Sequence, residues 1–213
     1  ASPALTGVVR FEENHPALRY NGAPLTVTKT SWSESTHAVA SGGWYASSSA
    51  PGDMVSLSFT GTWASLGYVA STNTGRVEVF IDGVSQGVVD TYANATTPRS
   101  ATFAGLAAGA HTLTATLLVT RNTFANVPGY FHVDYLDVWD GSAMPDGVFE
   151  EDSPRAWFGN GWNRGALANA SGGSYATSPP AAAAAWFAFT GDSATWQFVS
   201  GINSAGSARV SID

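Results

Sequence analysis

Hydrophobic residues in this chain alternate with polar ones far more often than they recur at helical spacing. In residues 54–60, Val55, Leu57 and Phe59 fall on one side of an extended backbone, and Ser56, Ser58 and Thr60 on the other. Residues 76–82 repeat the period of two with Val77, Val79 and Ile81. Residues 111–121 carry it furthest, setting Leu113, Ala115, Leu117 and Val119 against a row made mostly of Thr. Side chains leave a strand on alternate faces, so each segment predicts a strand with one buried face. Residues 130–140 change phase: Phe131 and Val133 share one parity, Leu136 and Val138 the other. A β-bulge near Asp134 and Tyr135 reconciles the two halves. Asp82 and Gly83 supply the positive-φ positions of a tight hairpin. No segment has a convincing helical period.

Much of this pattern occurs twice. RFEENHPALRYNG (residues 10–22) returns as VFEEDSPRAWFGNG (148–161), and SGGWYAS (41–47) as SGGSYAT (171–177). FTG at 59–61 returns at 189–191, and RVEVFID (76–82) is echoed by ARVSID (208–213). The middle matches are offset by 130 residues and the last by 131. Spacing held over that distance predicts two copies of one structural unit. The expected organisation is a complete all-β unit over 8–140, a short link at 141–147, and a partial second copy over 148–213. So short a link predicts a semi-rigid tandem. The second copy lacks a counterpart of 83–139, which leaves strand edges open. Either the chain continues to about residue 270 by the repeat spacing, or a neighbouring copy completes the unit. Self-association of that kind would build a filament or surface layer through main-chain pairing.

Composition narrows the class. Charged residues are 12% and hydrophobic ones 44%, with 8 Trp, 7 Tyr and 11 Phe, which is too apolar and aromatic for a disordered chain. A net charge of −7, with Lys29 the single lysine and the arginines scattered, argues against a nucleic-acid partner. No apolar run approaches the roughly eighteen residues of a membrane span. Cysteine is absent, so disulfides and thiolate sites are excluded. Low charge with abundant Ser, Thr, Gly and Asn suits a secreted or cell-surface bacterial protein. The opening ASPALTG fits a mature N-terminus left by signal cleavage.

The succession of elements is more specific. It runs from an acidic pair ahead of YNG, through a Trp/Ser/Gly-rich loop, FTGTWASLGY and VEVFIDG, to TFAGLAAGAHTLT and a closing FHVDYLDV. This order resembles the jelly-roll β-sandwich modules of the galactose-binding-like superfamily, which includes many carbohydrate-binding modules. The resemblance covers residues 8–140 in full and the second block in part. It implies a jelly-roll sandwich and a polysaccharide or other glycan as ligand. In such modules an early Glu and an Asp on the last strand often hold a structural calcium. Glu12, Glu13 and Asp134 match those positions, and a hard cation takes oxygen ligands of this kind. The alternative is an ion pair or hydrogen bond that closes the sandwich ends, for example with Arg10 or Arg19.

A glycan site needs aromatic faces to stack on sugar C–H patches, with a few polar groups to fix hydroxyls. Trp32 and Trp44, in the Ser/Gly-rich region, and Trp63 are the candidate platforms; the alternative is that they fill the core. Trp44 becomes Ser174 in the second block while Tyr45 remains as Tyr175, which points to an exposed Trp44 and a core Tyr45. His111, just after a turn, is read as fixing that turn by a hydrogen bond. His132 and Asp134 share a strand face, either as a metal pair or as a polar face. His15 and His37 stand isolated. No GxSxG, HExxH, phosphate-binding loop or GxGxxG motif is present. The expectation is a module that is not an enzyme.

Overall fold

A computed structural model describes residues 8–26, 31–126, 129–139, 147–151, 156–158, 162–178, 184–187, 189, 191–201 and 207–212. The chain forms strands β1 (Val8–Glu12), β2 (Arg19–Tyr20), β3 (Ser33–Thr36), β4 (Trp44–Ser48), β5 (Met54–Gly61), β6 (Trp63–Ala70), β7 (Arg76–Ile81) and β8 (Val84–Asp90). They are followed by β9 (Thr97–Phe103), β10 (Gly109–Leu117) and β11 (Phe131–Trp139). Four short strands complete the set: β12 (Ala156–Phe158), β13 (Asn163–Ala166), β14 (Ser174–Thr177) and β15 (Ala185–Phe187). Two 3₁₀ turns, Ser41–Gly43 and Ser171–Gly173, are the helical elements among the described residues.

Residues 8–139 build a two-sheet, all-β sandwich. One sheet has the order β3-β4-β11-β6-β9, with β1 also on β11; the other runs β2-β5-β10-β7-β8. From β4 to β11 the chain changes sheet at every step but the β7–β8 hairpin, which is jelly-roll winding. The alternation read from the sequence decides what goes inside. Val55, Leu57 and Phe59 of β5, Val77, Val79 and Ile81 of β7, and Leu113, Ala115 and Leu117 of β10 face the buried residues of β6 and β11. The bulge falls where the phase change places it, between Val133 and Tyr135. Two residues of β11 there oppose one step of β6, so Phe131, Val133, Leu136 and Val138 all reach the core. Val119 lies beyond the end of β10 and is exposed.

Strand β6 is buried on both faces. On its outer face Gly67 lies beneath the Tyr135 ring, and a Cβ at this position would come within 2.4 Å of that ring. The Arg10 guanidinium closes the stack from above, 3.7 Å from the ring centroid. His111 fixes the neighbouring turns: its Nδ1 lies 2.6 Å from an Asp82 carboxylate oxygen and its Nε2 2.7 Å from the Ala107 carbonyl.

The second block reproduces local geometry of the first. β13 pairs with β14 in the register of β3 with β4, Asn163 opposite Thr177 as Ser33 is opposite Ser47. Gly42 and Gly172 share the left-handed conformation, at φ 61°, ψ −2° and φ 64°, ψ −2°. Trp186 packs on Trp63 together with Val8 and Trp139. The link read at 141–147 lies outside the described residues apart from Gly147. No helix among the described residues is long and apolar enough to cross a membrane.

Candidate functional site

The outer face of the larger sheet carries a cleft of about 280 Å³. Its base comes from two adjacent antiparallel strands. Tyr45 of β4 and His132 of β11 bring their rings to 4.8 Å at 62°, and Tyr130 stacks on the other side of His132 at 5.5 Å and 22°. The Ser47 hydroxyl meets His132 Nδ1 at 3.0 Å. His132 is 6% exposed, and burial pushes its pKa down to about 4, so the ring stays neutral at ordinary pH.

The walls come from loops stitched to one another through the backbone. Thr74 Oγ1, fully buried, donates to the Ser71 or Thr91 carbonyl and accepts from the Ser71 N–H. Asn126 N–H donates to the Thr72 carbonyl at 2.7 Å, and Tyr130 N–H to the Asn73 carbonyl at 2.8 Å. The Ser71 hydroxyl donates to Asn73 Oδ1, which leaves the Asn73 amide N–H groups available to the cleft. Val69 adds a small apolar spot, while Thr96 and His37 complete the rim. Among the described residues, no Asp, Glu, Lys or Arg lines the cleft. Such a site offers aromatic faces, amide donors and hydroxyls in a prearranged, uncharged frame.

A larger, shallower depression of about 460 Å³ surrounds His111 on the other sheet. Both nitrogens of that imidazole already face acceptors, Asp82 and Ala107, so its hydrogen-bonding capacity is spent on the turns.

The structure separates the three tryptophans. Trp32 is 4% exposed, wedged between Tyr20 and Phe131, and Trp63 is 5% exposed in its cluster with Trp139 and Trp186. Neither ring has an open face, so both are packing residues and not sugar platforms. Trp44 is 49% exposed, as expected, but it does not line the cleft. Tyr45, expected in the core, lies on the outer face instead. Its retention as Tyr175 carries no information about which face it occupies. Tyr45 and Ser47 share a parity opposite to core Ala46, and that alternation could have identified Tyr45.

The acidic residues gather at one corner. Ser41, opening the 3₁₀ turn, donates its N–H to Asp134 at 2.9 Å and its hydroxyl to Glu12 at 2.8 Å. Arg10 forks onto Asp137 with contacts of 2.8 and 2.7 Å. Glu13 is buried, and burial raises its pKa. Among the described residues no three Asp, Glu, His or Cys side chains converge to hold a metal ion. Ser41 thus bonds to two of the three residues read as a calcium set, Glu12 and Asp134. Arg10, one of the two arginines read as their partner, pairs with Asp137. His132 and Asp134 bond to different serines, Ser47 and Ser41.

Burial gives two of these groups opposite effects on stability. Asp134 is held up at about 7 by burial, against an ordinary 3.8. Between those values the folded state keeps a proton that the unfolded state has lost, so stability falls as pH rises, by up to about 1.4 kcal/mol per unit. His132 titrates near 4 when folded and 6.5 when unfolded, so its contribution is lost as pH falls through that window. Relative to the parent, Asp134→Asn should gain stability from pH 4 to 7, and His132→Asn should gain it from pH 6.5 down to 4. Urea unfolding across pH measures both; a difference that does not vary with pH contradicts the burial assigned to that group.

No family model matches this chain, and no curated protein matches it. Solved structures do. A xanthan lyase from Paenibacillus is 16% identical over 83% of this chain and 17% of its own length, with a TM-score of 0.45. A two-domain esterase active on acetylated mannans, crystallised with mannopentaose, is 15% identical over 68% of this chain and 39% of its own, with a TM-score of 0.49. The CBM36-1 domain of a multidomain xylanase from the hindgut metagenome of Trinervitermes trinervoides is 15% identical over 66% of this chain and 99% of its own, with a TM-score of 0.41. The chain thus spans well under half of the lyase and of the esterase.

Proposed function

We propose that this chain is a non-catalytic extracellular module that binds a neutral glycan in the cleft between Tyr45, His132 and the 71–73 and 126 loops. One observation carries the reading: the half-buried Tyr45 ring, two imidazoles and fixed amide groups converge on a cleft that, among the described residues, no charged carboxylate or ammonium lines. Sugars offer apolar C–H faces beside hydroxyls, which this combination complements. Glycoside hydrolysis generally needs a pair of carboxylates flanking the bond, and among the described residues none lines this cleft. The Ser47–His132 pair lies buried, with Ser47 6% exposed, so its hydroxyl is out of reach as a nucleophile. The acidic, lysine-poor surface and the uncharged cleft suit an extracellular polysaccharide better than an anionic partner.

Tyr45→Ala should weaken binding to soluble oligosaccharides by about tenfold or more, the loss of one aromatic stacking face. Isothermal titration with mannopentaose, galactotriose and a xylo-oligosaccharide measures it, with Trp44→Ala as the control outside the cleft. Loss of binding in Trp44→Ala and not in Tyr45→Ala would move the site away from the cleft.

A further inference from the structure

We propose that His37 is the specificity-determining donor of the cleft, its Nε2–H reserved for an acceptor oxygen of the ligand. This inference rests on the cleft being the binding site and names the residue that selects what enters it.

Three observations carry it. First, His37 lines the cleft and is exposed, so its ring is within reach of a bound molecule. Second, the ring is held in place. Val39 N–H donates to His37 Nδ1 at 3.2 Å, so in the neutral ring the proton sits on Nε2. The imidazole then presents a single oriented donor instead of a rotating pair. Third, the turn does not need the imidazole. His37 N–H donates to the Gly43 carbonyl at 3.0 Å, and Leu167 N–H donates to the Gly173 carbonyl at 2.9 Å. The internal bonds match as well, Ala40 to His37 and Gly43 to Ala40 in one turn, Ala170 to Leu167 and Gly173 to Ala170 in the other. The same backbone device thus forms with leucine in place of histidine, and that leucine is 38% exposed, outside any core. What His37 adds over Leu167 is a polar contact facing the cleft. A ligand with an acceptor at that rim, such as a ring or hydroxyl oxygen of a neutral sugar, gains a hydrogen bond that leucine cannot provide. Tyr175 is present in the second turn as Tyr45 is in the first, so the aromatic element alone does not distinguish the two places.

His37→Leu in the full chain tests this with the substitution that the second turn already tolerates. The melting temperature should stay within about 1 °C of the parent, as for an exposed site. Affinity for whichever of mannopentaose, galactotriose or the xylo-oligosaccharide the parent binds should fall by about tenfold. Long-range proton–nitrogen correlation spectra of the parent should show the Nε2–H tautomer at His37, with its nitrogen shifts moving on addition of that sugar. An Nδ1–H tautomer overturns the assignment with or without a sugar present. Unchanged affinity in His37→Leu overturns it too, and leaves the cleft itself to be judged by Tyr45→Ala. A parent that binds none of the three sugars removes the glycan reading, and the role of His37 falls with it.

Discussion

Replacing Trp32 with alanine is expected to lower the unfolding free energy by about 3–5 kcal/mol, the range for emptying a buried aromatic site. The ring is 4% exposed and packs edge-on against Tyr20, centroids 4.8 Å apart, and against Phe131 at 5.9 Å. Tyr20 belongs to one sheet and Phe131 to the other, so Trp32 is a bridge between the two layers. Tyr20 is anchored in turn by its hydroxyl, which donates to the Glu13 carbonyl at 2.8 Å. Alanine would leave a void between the Tyr20 and Phe131 rings, each held in its own sheet. At about 2–4 °C per kcal/mol for a chain of this size, the melting temperature should drop by about 6–20 °C. Trp44→Ala should change stability by no more than about 0.5 kcal/mol, because half of that ring already meets solvent. Calorimetry of the two variants checks the contrast. Equal losses would contradict the separation of a core tryptophan from a surface one.

Arg10→Ala is the second large effect, at about 2–4 kcal/mol, somewhat below the range for breaking a fully buried ion pair because the guanidinium is part-exposed. Asp137 is 2% exposed, so removing the fork takes two charge-assisted hydrogen bonds from a buried carboxylate. The same guanidinium covers the Tyr135 ring and donates to the Ser41 hydroxyl at 3.2 Å. One side chain thereby joins β1, β11 and the 3₁₀ turn at the corner where Asp134 and Glu12 are held. Arg10→Lys should recover only part of the loss, since an ammonium supplies charge but not two parallel donors or a stacking plane. Chemical denaturation distinguishes the cases. Full recovery by lysine would mean that charge alone matters there, and a loss under about 0.5 kcal/mol in Arg10→Ala would remove the corner from the account of stability.

Alternation was a reliable guide wherever a segment is buried on one face. Strands β5, β7 and β10 and the bulge in β11 follow from parity alone, because a strand has two faces and only one can meet the core. Local pattern does not place Trp32 or Trp63, and comparison of the two blocks misplaces Tyr45. Trp32 stands in a loop-like, Ser-rich stretch whose local pattern does not show that two sheets close over it. Trp63 begins β6, whose outer face is covered by Trp139 and Trp186, residues 76 and 123 positions further along the chain. The second block retains Tyr45 as Tyr175, yet retention is blind to face. The cleft escaped notice for a related reason. Asn73, Thr96 and Asn126 belong to three separate loops, and only the closed sandwich brings them together.

The second block shows the same division in one segment. By the repeat offset, residues 193–200 answer to strand β6, with Ala194, Trp196 and Phe198 in place of Ala64, Leu66 and Tyr68. Leu66 and Tyr68 are fully buried between β9 and β11, whereas Trp196 is 59% and Phe198 72% exposed, in a stretch with no strand. A pattern of residues proposes a strand, but a strand exists only where neighbours accept its hydrogen bonds.

By itself, then, the sequence determined which residues turn inward, where the ladder bulges, where the hairpin closes and which blocks repeat. The first three depend on short-range geometry, a period of two and a positive φ, and the last on comparing one stretch of sequence with another. The tertiary structure decided which aromatics are walls and which are core, how Arg10, Ser41 and Asp134 meet, and that Tyr45, His132 and His37 border one cleft. Those depend on contacts between residues as much as 127 positions apart, such as Arg10 with Asp137. No local pattern encodes such contacts, because they form only when the whole sandwich closes.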